Sequence, residues 1–164
     1  MCLKFLGTVA VNELDAGPIN ILCIPSTFNS DSDFGDNTFG GLYLTARITT
    51  TIAMASSFMA GASLPCSFCQ TVREVSVMIP GLTTCPGGYD MEYRGTMMSR
   101  GGTSDSRSEA ICVSVSGAVS FGAAVMSAQT EVGPLNIACL GDALCPDLQD
   151  RFDIPCVVCT TTQA

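Results

Sequence analysis

The chain has 164 residues and a net charge of −8, with seven basic residues and no histidine. That balance excludes a nucleic-acid partner, which needs clustered Lys and Arg to displace phosphate counterions. The missing histidine excludes Ser-His-Asp and Cys-His catalysis and imidazole metal sites.

Taken in order, nearly every segment prefers strand. Thr8 to Val11 is short and rich in β-branched residues, and Ile19 to Ile24 alternates in part and stops at Pro25. Ser26 to Gly41 is an irregular polar loop. Leu42 to Ile52, dense in Thr, is the longest strand candidate. Ala53 to Gly61 reads as a short helix, or equally as strand or turn. Val72 to Ile79 is a strand closed by Pro80 and Gly81. Ile111 to Val115, Ala123 to Gln129, Leu135 to Leu140 and Val157 to Thr162 complete the set, with a small polar loop at Gly101 to Ser108. Sixteen Gly and eight Pro punctuate these runs, as an all-β domain of short strands and long loops requires.

The cysteines repeat. Cys23 is followed by Cys66 in Pro65-Cys66-Ser67-Phe68-Cys69, and Cys112 by Cys156 in Pro155-Cys156-Val157-Val158-Cys159. Phe5-Leu6-Gly7-Thr8 matches Tyr93-Arg94-Gly95-Thr96 at 88 positions. Cys23 to Cys112 is 89 positions, and Cys66 to Cys156 is 90. So slow a drift points to a duplicated unit, with residues 1–75 and 76–164 as two similar halves of one compact whole. A competing match sets Gly17-Pro18-Ile19-Asn20-Ile21-Leu22-Cys23 against Gly133-Pro134-Leu135-Asn136-Ile137-Ala138-Cys139 at 116 positions. It leaves the register of the repeat open.

Ten cysteines, an even number, fit disulfides and an oxidising, extracellular compartment. A four-thiolate zinc site from the two CxxC pairs is the rival, but zinc ribbons place such pairs about 15 to 20 residues apart, and here they are 90 apart. Redox CxxC needs a low-pKa thiolate, usually at a helix N-terminus, and both motifs here follow Pro among strands. The start, Met1-Cys2-Leu3-Lys4-Phe5-Leu6, has no signal-peptide pattern, so a secreted chain of this kind is expected to be trimmed from a longer precursor. No apolar run approaches the roughly 20 residues that span a membrane.

Apolar residues make up 47% and charged residues 13%, about half the usual charged share. Self-association is the expected consequence. The expected contact surface is the strand Leu42 to Ile52 with its partner Ala123 to Gln129, through Leu42, Tyr43, Leu44, Val125 and Met126. The carboxylates Asp31, Asp33 and Asp36 form a weak calcium candidate, although Gly35 is one position early for an EF-hand and no distal Glu follows. A plain solvated loop is the simpler reading. No other cofactor is expected, and no catalytic residue is assigned.

The ordered series Cys85-Pro86-Gly87-Gly88-Tyr89, Tyr93-Arg94-Gly95, Ile111-Cys112-Val113, Ala138-Cys139-Leu140 and Pro155-Cys156-Val157-Val158-Cys159 resembles the C-terminal non-collagenous region of sponge-type (spongin) short-chain collagens. The layout is more distantly similar to the C-terminal non-collagenous domain of type IV collagen, two tandem all-β halves that assemble as a trimer. The resemblance implies Cys85–Cys159, Cys112–Cys156 and Cys139–Cys145 in the second half, and Cys2–Cys69 and Cys23–Cys66 in the first. It implies an all-β fold of two disulfide-stapled halves with pseudo-two-fold symmetry. It also implies a secreted, non-enzymatic structural module whose partners are copies of itself, as trimer or filament, and other extracellular matrix components. No Gly-x-y triplets occur, so this chain holds no collagen helix. The alternative function is a calcium-dependent or lectin-like adhesion module using the Asp31–Asp36 loop, with Tyr43, Tyr89 and Tyr93 as the stacking aromatics.

Overall fold

The computed structural model describes residues 5–12, 20–25, 43–48, 63–100, 108–114, 130–137 and 152–162. Among these the protein is all-β. Its strands are β1 (Phe5–Asn12), β2 (Leu22–Pro25), β3 (Tyr43–Ile48), β4 (Pro65–Phe68), β5 (Ser76–Pro80) and β6 (Tyr89–Arg100). They continue with β7 (Ile111–Ser114), β8 (Thr130–Pro134), β9 (Asn136–Ile137), β10 (Phe152–Asp153) and β11 (Pro155–Thr161). Chain contacts divide them into two compact units. The first holds β1 to β4 and β8 as far as Gly133; the second holds β5, β6 up to Ser99, β7, β9, β10 and β11.

The first unit is built on β1. β2 runs antiparallel along one edge, with Gly7 opposite Pro25 and Ala10 opposite Leu22. The other edge is shared: β4 takes Phe5 to Thr8, and β3 takes Ala10 to Asn12. Leu64 joins the two partners. Its carbonyl accepts from the Val9 amide at 2.9 Å, and its own amide donates to the Ala46 carbonyl at 3.2 Å. β3 then pairs in parallel with β8, Ala46 opposite Thr130 and Ile48 opposite Val132. Val9, Ala10 and Val11 are all buried. Consecutive strand residues face opposite sides, so β1 is covered on both faces, and the Val-rich segment read as a strand fills a core.

The second unit is built on β6, the longest strand, in a segment that the sequence does not mark as one. β7 lies antiparallel on one edge, with Gly95 opposite Ser114 and Met98 opposite Ile111. β11 lies antiparallel on the other, from Thr96 opposite Pro155 to Tyr89 opposite Thr161. β5 pairs with the far side of β11. The ladder between β6 and β11 shifts between Val158 and Cys159 and leaves Glu92 without an opposite number, which is a β-bulge. The core is Thr96, Met97, Met98, Cys112, Val113, Cys156, Val157, Cys159 and Thr160. β6 does not alternate: its first residues are mostly exposed, and Gly95 to Met98 are all buried. The strand expected over Val72 to Ile79 begins only at Ser76, because residues 72–74 form a bend. Gly81 closes β5 with φ +81°, a conformation that costs glycine little.

Candidate functional site: a stapled three-strand frame

The best-defined chemistry is covalent. Cys23 on β2 and Cys66 on β4 are bonded, with 5.8 Å between their Cα atoms. Both strands flank β1, where Cys23 stands opposite Val9 and Cys66 opposite Gly7. Two strands that flank a third normally lie about 9 to 10 Å apart. Here they close over the middle strand, and the closure happens at Gly7. A Cβ on Gly7 would land on the Ile24 carbonyl and lie 3.1 Å from the Cys23 sulfur. The residue without a side chain is therefore what admits the staple.

The second unit builds the same frame on β6. Cys112 on β7 stands opposite Met97, and Cys156 on β11 stands opposite Gly95. The bond between them again sets the Cα atoms 5.8 Å apart. A Cβ on Gly95 would land on the Val113 carbonyl. The junction recurs too. The Met97 amide donates to the Ile154 carbonyl at 2.8 Å, and the Ile154 amide to the Leu135 carbonyl at 2.9 Å. In strand register, Gly7, Cys23 and Cys66 hold the places that Gly95, Cys112 and Cys156 hold.

β11 carries a further staple, Cys85–Cys159, with Cα atoms 5.9 Å apart. Cys156 and Cys159 are three positions apart on one strand, so their sulfurs leave on opposite faces of the sheet. Neither can bond the other, and each is held by a different partner.

Polar groups tighten this frame. The Tyr93 hydroxyl donates to the Cys112 carbonyl at 3.1 Å, and burial pushes the phenol's pKa above its ordinary 10.0. Arg73, in the bend before β5, is ion-paired and hydrogen-bonded to Asp90. It also donates to the Thr160 hydroxyl at 3.1 Å and the Thr161 carbonyl at 3.4 Å, and its Nε lies 3.9 Å from Glu92. The buried Thr160 hydroxyl donates in turn to Glu92 at 2.8 Å. Sequence reasoning missed this cluster, since Arg73 is 87 positions from Thr160.

Three pairs implied by the type IV resemblance, Cys23–Cys66, Cys85–Cys159 and Cys112–Cys156, are thus present in the structure. Cys69 is also disulfide-bonded. Cys2, Cys139 and Cys145 lie outside the described residues, as do Asp31, Asp33, Asp36, Leu42, Val125 and Met126. Tyr43 and Leu44 stand in β3 opposite Asn12 and Val11. Among the described residues no three His, Cys, Asp or Glu side chains gather as a metal site, and no helix is long and apolar enough to cross a membrane. No family model, no curated protein and no solved structure matches the chain.

Proposed function

We propose that this chain is a secreted, non-catalytic structural module: two tandem stapled halves, related by pseudo-two-fold symmetry, that assemble with copies of themselves into extracellular matrix or filament. The observation that carries this reading is the recurrence of one frame. The same glycine, flanking strands and cross-strand disulfide recur at offsets of 88, 89 and 90 positions. A frame kept by covalent bonds holds its shape outside the cell, where such bonds persist. Each closes a loop long enough to constrain the unfolded chain strongly. The agreement of the three pairs with the type IV arrangement supports a module of that collagen-related kind. The small share of charged residues, 13%, supports self-association, because few charges need to be desolvated where copies meet.

The test is the assembly state of the oxidised chain, by light scattering with separation by size and by negative-stain imaging, with and without a calcium chelator. A defined oligomer or filament unchanged by chelator is the expected result. A monomer that binds calcium would replace this reading with an adhesion module.

A further inference from the structure

Among the described residues β5 is an edge strand, the last in its sheet. Among those residues it pairs with β11 alone, whereas the backbone of β3 is paired on both sides, by β1 and by β8. The direction of the β5 backbone groups follows from two bonds. The Gly81 amide donates to the Pro155 carbonyl at 2.7 Å, and the Thr161 amide donates to the Val75 carbonyl at 3.2 Å. In an antiparallel ladder, bonded and non-bonded positions alternate. Val75, Val77, Ile79 and Gly81 therefore face β11, and Ser76, Met78 and Pro80 face outward. Pro80, which has no N–H, stands at an outward position, where an edge strand tolerates it.

We propose that this outer edge is the surface on which two copies of the chain meet, β5 against β5, antiparallel, with the two-fold axis at Met78. This rests on the self-association reading above and names its contact. In that register each Met78 exchanges both backbone bonds with Met78 of the second copy. Each Ser76 amide donates to the opposite Pro80 carbonyl, so every outward donor of the strand finds an acceptor. The absent Pro80 N–H falls opposite the Ser76 carbonyl, at the solvent end. Val77 faces Ile79 across the seam, which covers apolar surface on one side, and Met78 faces Met78 on the other. Val77 is 36% and Met78 38% exposed in the single chain.

Charge selects the second copy as occupant. From Val75 to Tyr89 no residue is charged, in a chain that carries −8 overall. Two copies meet there without like charges, and the edge lacks the lysine that usually blocks such pairing. A strand added at an open edge is an established mode of protein contact.

The experiment is sedimentation equilibrium of the oxidised full chain and three variants. Met78→Lys puts a charge at the axis. Ser76→Pro removes an outward amide and leaves the bonds to β11 intact. Val72→Lys changes an equally apolar residue off the edge, in the bend. The unfolding midpoint and disulfide mapping verify that each variant folds. Wild type and Val72→Lys are expected to associate alike, and Met78→Lys and Ser76→Pro each to associate at least tenfold more weakly. Slower hydrogen exchange of the Ser76 and Met78 amides as concentration rises is the matching backbone signature. Unchanged association in either edge variant overturns the β5 contact and leaves self-association standing. A wild-type chain that stays monomeric at every concentration overturns both.

Discussion

The Tyr93 hydroxyl donates a hydrogen bond to the Cys112 carbonyl across β6 and β7, beside the staple that Cys112 makes with Cys156. Burial disfavours the phenolate, so the folded chain keeps this proton at a pH where the unfolded chain has lost it. Stability is then level below the ordinary phenol pKa of 10.0 and falls as pH rises through that value toward the folded-state pKa. Tyr93→Phe should lower stability at neutral pH by about 1 kcal/mol and flatten the alkaline decline. Urea melts from pH 7 to 11 measure both effects.

Gly7→Ala and Gly95→Ala should each destabilise by about 2 kcal/mol or more, because the new methyl meets backbone that cannot move aside cheaply. Gly87→Ala is the control. Nothing lies within 4 Å of a Cβ there, so its effect should stay within about 0.5 kcal/mol. Chemical denaturation of the three variants gives the comparison.

Removing Cys112–Cys156 by a double serine substitution should cost about 4 kcal/mol on a chain-entropy basis, given its 44-residue separation. Cys112 and Cys156 are both buried, whereas Cys23, Cys66 and Cys85 are only half-buried. Limited reduction should therefore open Cys23–Cys66 and Cys85–Cys159 before Cys112–Cys156, since exchange requires access to a sulfur. Thiol labelling followed by peptide mass mapping reads the order.

Arg73→Met should cost about 1 kcal/mol at low salt and less at high salt, because the Arg73 and Asp90 side chains are partly open to solvent. A melt series in increasing sodium chloride separates this screened part from the bond to the buried Thr160 hydroxyl.

Much of the frame was legible because it is written in cysteines and glycines, residues whose chemistry fixes geometry. The strands at Thr8, Ile111 and Val157 were legible from β-branched runs. β6 was not, because Tyr-Asp-Met-Glu-Tyr-Arg-Gly-Thr-Met-Met-Ser-Arg has no two-residue alternation. Its first part is largely exposed and Gly95 to Met98 are buried on both faces, so burial rather than propensity decides it. Yet its match to Phe5-Leu6-Gly7-Thr8, beside a segment already read as strand, carried the signal. β8 was hidden by Gly133 and Pro134, which read as breakers. Its parallel pairing with β3 joins residues more than 80 positions apart, beyond any local pattern. The bend at Arg73 reads as strand in the sequence because Val72 and Val75 flank it; from the bend Arg73 reaches Asp90 and Thr160, contacts that no local pattern signals.

The staples also decide how the chain would carry tension. A pull along the backbone bypasses everything between bonded cysteines, 43 positions for Cys23–Cys66 and 74 for Cys85–Cys159. Fully extended, those stretches hold about 150 and 250 Å of contour, all of it locked while the sulfurs stay oxidised. The chain is therefore short under load while its disulfides are oxidised, and a reductant converts it into one that lengthens under the same load.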